Sequence, residues 1–179
     1  MTVTNRRYLL QAAPIKDMSC TKRTGPGGTS YGLGEAGYDI RIKQEITFSR
    51  SGDHKQMWVT VCVQDDDRYE GVNFSQINEG RFALASAMEE FQMPDYLMGI
   101  VHDKSTWARR GLSVFNTVIE PGWKGFLTLE LVYHGEGELI IPAGSGIAQV
   151  IFHEVEEPAV YAGKYNNQAD KPVGPIDSE

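Results

Sequence analysis

Two groups of residues in this chain are equipped for chemistry. The first is Lys104-Ser105-Thr106-Trp107-Ala108-Arg109, which sets cations and hydroxyls close together in one short stretch. A guanidinium binds phosphate oxygens two at a time, and successive backbone N–H groups in a turn make an anion nest. The stretch therefore suits a phosphate chain. An ordinary solvated basic turn has the same composition, and spacing alone leaves both readings open. It is not a P-loop, because Gly-x4-Gly-Lys-Ser is absent. The second group centres on Glu130, the single carboxylate in the apolar run Phe126–Val132. A carboxylate in such a strand is costly unless it is paired, hydrogen-bonded or used. Its functional reading is a general acid–base; the alternative is an outward Glu on a solvated face. Strand alternation puts Thr128 and Val132 on its face and leaves Leu129 and Leu131 flanking it.

Two further stretches accompany these. Glu120-Pro121-Gly122-Trp123 reads as a turn, with Pro suited to its second position and Gly to its third. Tyr161, Lys164, Tyr165 and Gln168, in YAGKYNNQ, supply aromatic faces, a cation and an amide on a polar tail. The histidines, His54, His102, His134 and His153, are not in the H-x-E…P-C-x-x-C arrangement of zinc deaminases. No Ser-His-Asp or Cys-His grouping emerges from their spacing.

The elements that must position these residues read as short strands. Tyr38–Ile42, Ile46–Phe48 and Met57–Val63 are β-branched or alternating, and Phe74–Ile77 is a weaker match. Leu112–Phe115, Phe126–Val132, Glu138–Ile141 and Gly146–His153 are also predicted strands, separated by Gly or Pro turns. Arg81–Phe91 is ambiguous, since Ala, Leu, Met and Glu favour a helix. Pro94-Asp95 opens a turn or short helix into Tyr96–Val101. Residues 1–13 are expected to hold a short helix, and 14–37 a long loop or mobile arm around Gly25-Pro26-Gly27-Gly28. Gln64–Tyr69 reads as an acidic solvated loop, and residues 161–179 as a tail without fixed structure of its own. Many short strands at this spacing predict an all-β barrel or sandwich with few short helices.

Composition narrows the class. At 179 residues the chain fits one domain with a real core. The 19 glycines and 8 prolines indicate many turns. A net charge of −7 speaks against duplex nucleic acid as the main partner, so any anion site must gather its cations locally. Two distant cysteines, Cys20 and Cys62, make no disulfide framework or metal spacing, which fits a reduced cytoplasm. No apolar run approaches the roughly 18 residues of a membrane span, and MTVTNRRYLL lacks the apolar core of a signal peptide.

Ordered motifs in the chain resemble the dCTP deaminase / dUTPase superfamily, most closely its deaminase branch. They are YDIRI at Tyr38–Ile42, FALAS…E…P-D at Phe82–Asp95 and KSTWAR-RGL at Lys104–Leu112. IEPGWKG at Ile119–Gly125, LTLEL at Leu127–Leu131, PAGSGIAQVIF at Pro142–Phe152 and YAGKYNNQ at Tyr161–Gln168 follow. The first 37 residues match poorly. The resemblance implies a distorted β-barrel or jelly-roll and makes FALAS a strand. It divides the chain into an N-terminal helix and arm (1–37), a catalytic barrel (38–160) and a nucleotide-closing tail (161–179). It also implies a homotrimer with active sites between subunits.

By that resemblance Glu130 is the general acid–base for attack of water on C4 of cytosine. Ser105 helps hold the water, and Arg109 stabilises developing charge. Lys104, Ser105, Thr106 and the loop amides, with Trp107 and Ala108 in the same turn, hold phosphates. Asn116, Glu120, Thr128 and Leu129 line the nucleoside site, and Tyr161, Lys164 and Gln168 clamp triphosphate and sugar. Mg2+ travels with the triphosphate, and the chemistry needs no zinc. The chain departs from the family pattern in places. Ser113–Val118 is shorter than in many bacterial deaminases, and Asn116-Thr117 is similar to the uracil-binding hairpin of dUTPases. Glu120 stands where Asp is usual. The Gly-rich C-terminal motif of dUTPases is absent, and their strand has no glutamate like Glu130. Deamination of dCTP is therefore favoured; dUTP hydrolysis, alone or alongside it, is the alternative, and a non-catalytic nucleotide-binding regulator is the third reading.

Overall fold

The computed structural model describes residues 2–50, 56–63 and 74–177. Strand β1 (Val3–Thr4) is followed by α1 (Arg6–Ala12), β2 (Arg23–Thr24), β3 (Ser30–Leu33), β4 (Tyr38–Arg41), β5 (Glu45–Arg50) and β6 (Met57–Val63). Then come β7 (Phe74–Glu79), β8 (Phe82–Gln92), β9 (Leu97–Asp103), α2 (Ser105–Ala108), β10 (Leu112–Val114) and β11 (Val118–Ile119). The long β12 (Lys124–Tyr133), β13 (Leu139–Ile141) and β14 (Gly146–Glu154) complete the order. The predicted strands are present, and residues 1–13 hold the expected helix. The acidic segment Gln64–Tyr69 lies outside the described residues.

The strands form three open antiparallel sheets. The largest runs β11-β9-β14-β4-β3-β2, with β1 also paired to β14; the others are β10-β12-β8 and β13-β5-β6-β7. The mainly β fold is as expected, but no closed barrel forms among the described residues. The sheets share one core, in which Trp107, Phe48, Phe91 and Phe152 are the largest fully buried side chains.

Residues 82–92 settle their ambiguity by period. Ala83, Ala85, Ala87, Glu89 and Phe91 are all buried, at strict alternation. Helix propensity separates residue types by only about 0.7 kcal/mol per position. A ladder from Phe82 to Gln92 against β12 outweighs it. Glu89 is tolerated inside because Arg41 donates to it twice, from Nε and from the backbone N–H, each at 2.8 Å. Burial pushes the Glu89 carboxyl up, and Arg41 draws it part of the way back.

The segment 14–37 is not a loose arm. It contributes β2 and β3, and Ile15, 1% exposed, bridges to Phe91. Burying an aliphatic side chain of this size contributes about 1.5–3 kcal/mol, and Leu9 from α1 adds a second such anchor. These contacts offset the ordering cost of a glycine-rich stretch.

Candidate active site

β12 is the backbone of the site. Its Glu130 lies opposite Leu84 and its Thr128 opposite Ser86 on β8. Alternation carries both side chains into a cavity of about 620 Å³. Phe82 and Leu84 of β8 form one wall. The hairpin residues Thr117 to Glu120, with Trp123, form a second, and the tail closes a third with Tyr161, Tyr165, Gln168 and Val173 to Pro175. A cavity of this size and mostly apolar lining is typical of a small-molecule site.

Glu130 is half-buried. Loss of solvent raises its carboxyl above the ordinary value, and its own backbone amide draws it back only in part. No charged group contributes to that shift. A carboxyl in a cleft with raised proton affinity and, among the described residues, no salt-bridge partner is a candidate general acid–base. Glu120 lines the same cavity, so it holds two carboxylates, whereas among the described residues no Lys or Arg lines it.

The cationic turn is elsewhere. Ser105 to Ala108 form α2, capped by Lys104, and none of these residues, nor Arg109, lines the cavity. Lys104 is already engaged: its ammonium donates to Asp39 Oδ2 at 2.6 Å and to Ser30 Oγ at 3.0 Å. Asp39, 1% exposed, also accepts from Gln149 Nε2 at 3.2 Å. Lys104 thus moors the turn to β4, and its charge is largely neutralised. Trp107 is a core residue whose indole N–H donates to the Gly146 carbonyl at 2.8 Å. What the turn shows to solvent is Ser105, Ala108, Arg109 and Arg110, the last stacked on Trp107 at 4.8 Å.

The remaining expected binding residues divide in the same way. Tyr161 and Gln168 reach the cavity with Glu120, Thr128 and Glu130; Asn116, exposed, and Lys164 do not. Leu129 is 1% exposed and faces the core, so only its backbone can meet a ligand. Tyr165, singled out with the tail motif, also lines the cavity, and Phe82 and Leu84 line it and were missed. Once β8 is read as a strand, its alternation places Phe82 and Leu84 on one face.

The tail, read as having no fixed structure of its own, is docked on the body of the chain. Tyr165 accepts at its carbonyl from Trp123 Nε1 at 2.6 Å, and Lys124 N–H donates to Asn166 Oδ1 at 3.0 Å. Gln168 pairs with Gly125 as a one-residue parallel bridge. Gly125 has φ +121°, and a Cβ there would come within 2.6 Å of the Gln168 carbonyl oxygen, so the approach needs glycine. Lys43 holds the far side through an ion pair to Asp170 at 2.6 Å.

Known proteins share this arrangement of sequence. A family model described as dCTP deaminase-like matches residues 19–155, so the likeness begins well inside the segment expected to match poorly. The dCTP deaminase of Protochlamydia amoebophila is 34% identical over 165 residues, 87% of this chain and 85% of that protein. The dCTP deaminase of Acidobacterium capsulatum is 31% identical over 183 residues, 94% of this chain and 96% of that protein. A solved 2'-deoxycytidine 5'-triphosphate deaminase from Agrobacterium tumefaciens shares the fold, with a TM-score of 0.50 at 14% identity; the match covers 84% of this chain and 47% of that one. With a family match across most of its length and relatives above 30% identity along nearly all of it, the chain belongs to the dCTP deaminase-like family.

Proposed function

We propose that this protein deaminates dCTP to dUTP and ammonia, with Glu130 as the general acid–base. The observation that carries the reading is the unpaired, half-buried Glu130 in a cleft of nucleoside size. Water donates a proton to the Glu130 carboxylate as its oxygen bonds to C4 of cytosine. The C4=N3 pair shifts onto N3, which takes that proton from Glu130. Glu130 then carries the proton of the new C4 hydroxyl to the amino group, the C4–N bond breaks, and ammonia leaves a uracil carbonyl behind. Ser105 holds the water, and Arg109 stabilises the charge that develops. Such proton transfer contributes on the order of 10²–10⁴-fold. The substrate is the Mg2+ salt of dCTP, its ion held by phosphate oxygens and water.

The cavity's charge supports a site built between copies of the chain. Two carboxylates without a lining cation repel a triphosphate, while the KSTWAR turn presents Arg109 outward. A second subunit's turn supplies the missing charge, which suits a homotrimer with shared sites. The protein works in the cytoplasm in this reading; among the described residues no helix is long and apolar enough to cross a membrane.

Mass analysis of the products from dCTP and dUTP, run side by side, tests the reaction. Ammonia and dUTP from dCTP support it, and intact dCTP overturns it. A second reading, dUTP hydrolysis alone or alongside deamination, is favoured by Glu120, a second carboxylate that could aim water at a phosphate. Pyrophosphate released from dUTP would establish that reading. Tight nucleotide binding without turnover would instead mark a regulator.

The tail is part of the same reading. Removing residues 161–179 strips Tyr161, Tyr165, Gln168, Val173, Gly174 and Pro175 from the cavity wall. The KM for dCTP is expected to rise at least tenfold, the worth of about 1.4 kcal/mol of binding. Unchanged steady-state kinetics in the truncated protein would refute a closing role.

A further inference from the structure

Thr128 was expected to touch the nucleotide, but its hydroxyl is spent on the tail. It donates to Gln168 Oε1 at 3.2 Å and accepts from the Val173 N–H at 3.1 Å. One side chain, 6% exposed, therefore ties two points of the tail to β12. The tie lies in the cavity itself, two residues along the strand from Glu130 and on the same face. Among the described residues, the other polar anchors beyond Val173 are at the outer side of the tail: Ile176 N–H donates to the Tyr165 hydroxyl at 3.2 Å, and its carbonyl accepts from Lys164 Nζ.

We propose that Thr128 is a positioning residue, a latch that fixes the tail over the cavity and so sets the spacing between the closing wall and Glu130. The hydroxyl saturates both of its partners. A valine of nearly the same shape removes both hydrogen bonds and takes that partner from the Val173 N–H and from Gln168 Oε1 in a confined site. A serine keeps both bonds. No neighbour on β12 in the cavity lining can substitute: Leu127 and Glu130 offer an alkyl chain and a carboxylate.

The test compares Thr128→Val and Thr128→Ser in the full-length protein. The first readout is amide hydrogen exchange at Val173 without nucleotide, which needs no turnover. Exchange is expected to quicken by roughly tenfold in the valine variant, the loss of one or two hydrogen bonds, and to return in the serine variant. The second readout, which rests on the proposed deamination, is the split between KM and kcat for dCTP. KM should rise several-fold in Thr128→Val, more than kcat falls, with rescue by serine. If the valine variant does not fold, Gln168→Ala, which removes the acceptor of the Thr128 hydroxyl, should loosen the same amide. Three results overturn the latch: Val173 exchange unchanged in the valine variant, serine no better than valine, or quickened exchange with unaltered KM. A raised KM with unchanged exchange would make Thr128 a substrate contact instead. An enzyme with no turnover on dCTP would count against the proposed reaction while the exchange result still decides the latch.

Discussion

Glu130→Gln should release no measurable ammonia from dCTP, a loss on the order of 10²–10⁴-fold, and should melt at a higher temperature than the parent at neutral pH. Both effects follow from one feature. Burial raises the Glu130 carboxyl, and no cation compensates. In the folded protein the group binds its proton more tightly than in the unfolded chain. Its stabilising share is complete below the ordinary carboxylate range and is lost as pH rises through the raised folded value. At neutral pH the charged Glu130 is thus a liability to the fold. Gln keeps the shape and cannot ionise, so its thermal advantage should grow between acidic and neutral pH. The rate runs the other way. A base must be deprotonated, so kcat/KM of the parent should fall as pH drops through that same raised value. Thermal melts of both proteins across pH, set beside the rate profile, check the pairing. A Gln variant that keeps its activity would remove Glu130 from the chemistry; one that loses activity but melts lower at neutral pH would show that the carboxylate is held by a partner.

Much of this was legible in the sequence, and what was not shares a cause. The strand carrying Glu130 announced itself because apolar residues surround a single acid, a local signal. Propensity alone leaves β8 ambiguous because its core face is built of Ala83, Ala85 and Ala87, small residues that also favour helices. Their alternation, not their type, was the true sign. The contacts that shape the site are long-range. Thr128 meets the Val173 amide, and Lys104 meets Asp39, across gaps that no periodicity spans. The Lys104 ion pair to Asp39 anchors the turn that carries Arg109, a contact that the local sequence does not show. The tail reads on composition as having no fixed structure of its own, and its backbone groups are met by Trp123, Lys124 and Thr128, three residues of one strand and the turn before it.

Arg109→Ala is expected to cut turnover by on the order of 10²–10³-fold, the usual effect of removing a donor aimed at developing charge. Alone, that result would not say where Arg109 acts. Mixing does. The cavity of one chain holds Glu130 without a lining cation, while the same chain's Arg109 is exposed away from it. If each site takes its acid from one subunit and its turn from the next, Arg109→Ala and Glu130→Gln spoil different halves of it. Random reassembly of equal amounts in a closed ring then gives about a quarter of sites with both halves intact. Two dead proteins should therefore regain activity near that fraction after their subunits exchange, with mixed oligomers verified by mass. Light scattering on Arg109→Ala alone should show the parent's assembly, since an exposed guanidinium with no ion pair among the described residues contributes little to the fold. Mixed oligomers that stay inactive would place turn and acid in the same subunit and require α2 to move onto the cavity of its own chain. Dissociation of the Arg109→Ala protein would make the residue an interface contact and leave the charge at C4 to another donor.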